Sequence, residues 1–186
     1  MDYHDYIWDL GGTLLDNYEV STQAFIASLK KYGIEASHDE VYVKLKESTR
    51  EAVDFFIPNE ETFLHQYKML EAEYLKQPVL CKGARDVLAK IVADGGRNFL
   101  ISHRNKLVLT ILETTNLNSY FTEVVTSENG FARKPDPESL LYLKEKYQMS
   151  SALVIGDRDI DRQAGEAVGF AALLVDNKKS LMELVN

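Results

Sequence analysis

Asp9, Ser102, Lys134 and Asp157 supply two acids, a hydroxyl and an ammonium, the set that a magnesium-assisted phosphoryl site requires. Carboxylates hold a hard cation through oxygen, while a lysine and a hydroxyl neutralise and hydrogen-bond the remaining phosphate oxygens. Asp9 ends the run Tyr6-Ile7-Trp8 and is followed by Leu10 and the turn Gly11-Gly12-Thr13. Ser102 follows Phe99-Leu100-Ile101, and Asp157 follows Leu153-Val154-Ile155-Gly156. Each uncharged run reads as a buried parallel strand, and the carboxyl ends of such strands gather in one crevice. Lys134 stands in Phe131-Ala132-Arg133-Lys134-Pro135-Asp136-Pro137, a loop ending at a helix start. Taken singly, an aspartate at a strand end can equally cap a turn or a helix, and a loop lysine can simply be solvated.

The elements that must position these groups fall into two kinds. From about Glu19 to Leu75 the pattern is helical with no convincing strand: Phe25, Leu29 and Tyr32 share a face that Gly33 ends, and Asn59 reads as an N-cap. Glu60 and Glu61 fill the first turn after it, with Phe63, Tyr67, Leu70 and Tyr74 at helical spacing behind, and Gln77-Pro78 closes the module. From Val79 helices and strands alternate. Val87, Leu88, Ile91 and Val92 form a helical face that Gly95-Gly96 stops, and a helix starts at about Asn105. Phe121 to Val125 is a weak strand, and Asp136-Pro137 reads as an N-cap with a first-position proline for a helix carrying Leu140, Leu141 and Tyr147. Asp161 opens a short helix that Gly169 closes, Ala171 to Val175 is a last strand, and a terminal helix follows. The fold class is α/β: a Rossmann-like parallel sheet core over 1–16 and 80–186, with a small helical domain inserted over 17–79.

A chain of 186 residues suffices for one well-cored domain carrying a small insert. Its net charge of -8 and the lack of a Lys/Arg-rich run argue against nucleic acid or an anionic membrane as the main partner, which leaves small metabolites. The start Met1-Asp2-Tyr3-His4 lacks the pattern of a signal peptide, no apolar run reaches membrane-spanning length, and Cys81 is the single cysteine. The expected location is cytoplasmic, with Cys81 a small apolar filler. His4, His38 and His65 lack metal-ligand spacing and read as surface or structural residues. Lys44 and Lys46 read as a solvated helix face.

With these residues in place, the chain resembles the haloacid dehalogenase-like (HAD) hydrolases, in the subfamily of phosphoglycolate phosphatases and beta-phosphoglucomutases. The resemblance is carried by Asp9-Leu10-Gly11-Gly12-Thr13, Ser102, Lys134 and Gly156-Asp157-Arg158-Asp159-Ile160-Asp161, in family order. It implies that Asp9 is a nucleophile transiently phosphorylated, that Lys134 neutralises charge, and that Thr13 and Ser102 hydrogen-bond phosphate. His103, next to Ser102 at the strand end, is a further candidate for the substrate and phosphate site. It implies Mg2+ held by Asp9, the Gly11 carbonyl and Asp157, with Asp161 ligating through water or orienting Lys134, a role compatible with capping. The helical insert is similar to the cap that closes over the site in this subfamily.

One departure bears on the chemistry. Family phosphatases carry a second Asp two residues after the nucleophile, which protonates the leaving alcohol and then activates water; here that position is Gly11. Such a group contributes about 10²–10⁴-fold. A substitute would come from His103, which otherwise reads as a loop residue, or from the cap. The leading expectation is a Mg-dependent phosphatase of a small phosphorylated metabolite. The alternatives are a phosphonatase-type carbon-phosphorus hydrolase that uses a cap lysine, and a phosphate-binding or partner-binding scaffold with impaired turnover.

Overall fold

Four consecutive buried residues, Asp5–Trp8, form the central strand β1. The computed structural model describes residues 3–58, 60–176 and 179–184. In chain order the elements are β1, α1 (Asn17–Lys31), α2 (His38–Glu47), α3 (Thr49–Phe56), α4 (Glu61–Tyr74), α5 (Ala84–Ala93), β2 (Arg97–Ile101), α6 (Leu107–Thr114), β3 (Phe121–Val125), α7 (Glu138–Lys146), β4 (Ala152–Gly156), α8 (Asp159–Ala167) and β5 (Ala171–Leu174). The chain divides into two units, Met1–Leu15 with Leu80–Asn186, and Asp16–Val79.

In the first unit the strands form one parallel sheet of order β3-β2-β1-β4-β5. Side chains on a strand alternate between faces, and β1 serves two cores. Tyr6 and Trp8 join Leu100, Leu88 of α5 and Leu112 of α6 on one face. Ile7 joins Phe99, Val154, Leu140 of α7 and Ala164 of α8 on the other. Because β2 and β4 flank β1 on opposite sides, the connections leave β1 in two directions, and the crevice this creates lies at the strands' carboxyl ends.

Polar groups lock the register of this apolar sheet. The Trp8 indole N–H donates to Asn98 Oδ1 at 2.9 Å, and Asn98 Nδ2 donates to the carbonyls of Leu88 (3.1 Å) and Tyr120 (3.3 Å). Asn98 is fully buried, and these contacts satisfy its amide.

The second unit is helical throughout its regular elements, α1 to α4. The Phe25 ring lies 5.0 Å from both Phe63 and Tyr67, and 6.0 Å from Phe56, in edge-on geometry. Asp16, Ser37 and Ser48 cap α1, α2 and α3 through their side chains, and Ser48 also ends α2. Ser21 Oγ of α1 donates to Glu71 of α4 at 2.6 Å.

The structure adjusts several sequence expectations. Val92 is exposed, because Ala84, Val87, Leu88 and Ile91 already fill the buried stripe of α5 and the next position falls off its edge. Asp161 stands in the first turn of α8 rather than opening it, and its Oδ2 accepts the Arg158 N–H at 3.2 Å. Pro137 takes the cap position of α7, yet Asp136 Oδ1 still accepts the Glu138 N–H at 3.0 Å. In place of a terminal helix, Leu181–Leu184 makes a short 3-10 turn. Asn59, expected as an N-cap, lies outside the described residues, and Glu60 caps α4 instead by accepting the Thr62 N–H.

Candidate active site

The sheet register brings the site residues to one edge. Trp8 pairs with Leu100 on β2 and with Ile155 on β4, so Asp9, Ser102 and Asp157 emerge side by side within two residues of those pairings. The Asp9 N–H donates to the Ile155 carbonyl at 2.8 Å and the Ser102 N–H to that of Val125 at 2.9 Å, which continues the ladders to the rim. Past the rim the chain turns tightly, with the Leu10 carbonyl accepting from Leu14 (3.0 Å) and Leu15 (2.9 Å). The left-handed position of this turn is Gly12, φ +82°, and a Cβ there would meet Asp157 Oδ2 at 2.2 Å. Glycine is needed for backbone conformation and for room, and its absence of a side chain lets the Asp157 carboxylate pack against the turn.

Lys134 is the hub. Its side chain is 4% exposed, and Nζ donates to Asp9 Oδ1 at 2.5 Å and to Asp161 Oδ1. Burial would push this ammonium down, but the carboxylates of Asp9 and Asp161 outweigh burial and hold its pKa above the ordinary lysine value. Burial lifts the Asp9 carboxyl above its usual value; the Lys134 charge opposes the lift without cancelling it, and Asp161 adds to it. Asp9, Asp157 and Asp161 each offer an oxygen within 4.8 Å of the others. All three donors are hard carboxylate oxygens, so the donor set suits a hard cation such as magnesium better than a soft metal.

Thr13 is fully buried and its Oγ1 has no hydrogen-bond partner, a condition that costs about 1–3 kcal/mol and suits a donor awaiting an oxyanion. Ser102 is buried, and its Oγ accepts the Arg104 N–H at 3.3 Å. Gly11 bridges to Leu15 within the turn. His103 Nε2 accepts the main-chain N–H of Lys134 at 2.8 Å. Arg158 is exposed, and the nearby Asp159 pairs with Arg162. In the helical unit Lys44 pairs with Glu47, which raises its pKa, the opposite of what an imine-forming lysine requires.

Two features escaped sequence reasoning. Arg104 acts electrostatically on Asp9, and its only signal was a positive charge two residues past the strand-end Ser102. The contact of His103 with the Lys134 main chain has no sequence signal, since it depends on how two loops meet.

The chain is 27% identical to a phosphoglycolate phosphatase of Aquifex aeolicus over 177 residues, covering 90% of this chain and 82% of the relative. The crystal structure of a hydrolase from Streptococcus pneumoniae TIGR4 is 58% identical with a TM-score of 0.93, covering 99% of this chain and 97% of that one. A HAD family hydrolase from Deinococcus radiodurans R1, solved with bound phosphate and sodium, shares the fold at 19% identity and a TM-score of 0.74, covering 91% and 79%. The family model of haloacid dehalogenase-like hydrolases matches residues 6–175, and the chain belongs to that family.

Proposed function

We propose that this hydrolase is a magnesium-dependent phosphatase of a small phosphorylated metabolite in the cytoplasm, working through a phosphoryl group on Asp9. The observation that carries the reading is the buried Lys134 ammonium held between Asp9 and Asp161, with Asp157 completing a three-carboxylate set. Lys134 orients Asp9 through one oxygen and leaves the carboxylate anionic for attack. An Asp9 oxygen bonds to phosphorus as the bond to the leaving oxygen breaks, and the leaving group takes a proton from solvent. Water then attacks the acyl phosphate, the bond from phosphorus to the Asp9 oxygen breaks, and a proton returns to solvent. Thr13 and Ser102 donate to the phosphoryl oxygens. Asp9, Asp157 and Asp161, with the Gly11 carbonyl, would hold the magnesium, which supplies neutralisation of phosphate charge. The name of the Aquifex relative supports a small anionic ester as substrate. The helical unit, as a cap, selects it.

Gly11 leaves the leaving oxygen without a positioned acid, so aryl and acyl phosphates should react much faster than sugar or glycolate phosphates, by about 10²-fold or more. Phosphate release should require magnesium and vanish in Asp9→Asn. The test is a panel of these esters with magnesium or EDTA, native chain against variant. Undiminished turnover by Asp9→Asn would remove the assignment.

A further inference from the structure

We infer that His103 is a positioning residue that fixes the height of Lys134 in the site, by accepting the lysine's main-chain N–H on Nε2. The inference rests on the phosphatase reading, and it moves His103 from substrate contact or proton transfer to main-chain support. Geometry carries it. Lys134 is the only described residue shown bonded to both Asp9 and Asp161, and fixing its backbone limits the side-chain conformations it must give up for its ammonium to meet both. It sits on a loop between Phe131 and Pro137, with no sheet ladder to hold it. The 2.8 Å contact to His103 ties that loop to the residue directly after Ser102, hence to the carboxyl end of β2. Lys134 is thus held from both ends, its side chain by Asp9 just past β1 and Asp161 of α8, its main chain by His103 two residues past β2.

The bond also fixes the state of the ring. A main-chain N–H can only donate, so Nε2 must be the unprotonated nitrogen and Nδ1 must carry the proton. The groups around the ring favour this neutral form: burial pushes the pKa down to about 4, the charges of Lys134 and Arg133 push the same way, and only Asp161 opposes. A ring in that state has no proton on Nε2 to give to a leaving group.

Two substitutions separate the roles. His103→Gln keeps an acceptor near the Nε2 position, whereas His103→Phe keeps the ring and loses the acceptor. If the ring positions Lys134, kcat for an aryl phosphate should fall about 10- to 10²-fold in His103→Phe, with a smaller change in KM, since slight misplacement of a group that meets developing charge costs this much. His103→Gln should recover most of that loss. Hydrogen exchange of the Lys134 amide should accelerate in His103→Phe and stay slow in His103→Gln. Equal loss in both variants would overturn the proposal in favour of proton transfer, and native kcat in His103→Phe would overturn it outright. Nitrogen-15 spectra of histidine in the native protein at pH 7 need neither variant folding nor turnover. They should show the Nδ1–H tautomer, and a cationic or Nε2–H ring would refute the clamp even if the phosphatase reading stands. Slow amide exchange and the Nδ1–H tautomer in a protein without phosphatase activity would uphold the clamp and remove the enzymatic reading alone.

Discussion

The sheet carries a charge cluster at each end, and the two follow opposite rules. At the amino end Asp5 of β1 meets Arg97 of β2 in a two-pronged contact of 2.6 and 2.9 Å, and its Oδ1 also lies 3.0 Å from His4 Nδ1. The guanidinium also lies 5.6 Å from the Tyr147 ring and 5.7 Å from Phe99, so charge and aromatic faces are both matched. At the carboxyl end three carboxylates share one contacting ammonium, with the Arg104 charge acting on Asp9 from farther off. When ionised, the three acids outnumber the lysine they share by two negative charges, an excess that Arg104 offsets only in part. A balanced pair holds strands together; an unbalanced set leaves negative charge that a cation can neutralise. Charge balance therefore separates the two clusters.

The strongest way to break this contrast is to remove the base at each end. On the proposed reading, Lys134→Met should lower kcat/KM about 10³-fold, because the buried charge beside Asp9 is lost and two acids are left facing each other. Arg97→Met should leave kcat/KM within about twofold of native, since that pair lies at the far end of the strands. Comparable activity losses in both would erase the distinction.

Relieving the unbalanced end should have a signature of its own. Asp157→Asn should be at least as stable as the native chain in EDTA, yet gain nothing from magnesium. The native chain should gain about 2.7 kcal/mol at a magnesium concentration 100 times its dissociation constant. Urea unfolding with and without magnesium reads both. A variant that responds to magnesium as the native chain does would exclude Asp157 from the ligand set.

Asp5→Asn should do the reverse, costing about 2 kcal/mol of stability while leaving turnover intact. The figure sits below that for a fully buried pair because the Arg97 side chain is 32% exposed and can be rehydrated. A stability loss below about 0.5 kcal/mol would mean the pair is ornamental.

The two ends also differed in how far they could be read from sequence. Asp9, Ser102 and Asp157 were legible because a buried parallel strand is an uncharged run, and the first polar residue after it marks the sheet rim. Lys134 was legible through its family motif. Asp5 and Arg97 were not, since their pairing depends on the register of strands 92 residues apart and each looks like an ordinary charge at a strand start. Asn98 was hidden for the same reason: an amide inside an apolar strand is meaningful only once Trp8, Leu88 and Tyr120 are seen around it. Val92 was misplaced because the width of a buried helical stripe is set by the partner surface, which periodicity does not report.

The smallest effect concerns proton uptake at the carboxyl end. Burial, with the charges of Lys134 and Arg133, holds the folded-state pKa of His103 at about 4, against 6.5 for the free side chain. Between those values the unfolded chain binds a proton on this ring that the folded chain refuses, so stability rises with pH across the window. The contribution is complete above about pH 6.5 and is lost progressively as pH falls toward 4. His103→Gln has no ring to titrate. The native chain should therefore lose more stability than His103→Gln between pH 7 and pH 4.5, with the stability difference changing little between pH 7 and pH 8. Urea unfolding of both proteins at these pH values measures it. A stability difference independent of pH would mean that the ring is as easily protonated in the folded chain as in the unfolded one, and that Nε2 is not committed to the Lys134 amide.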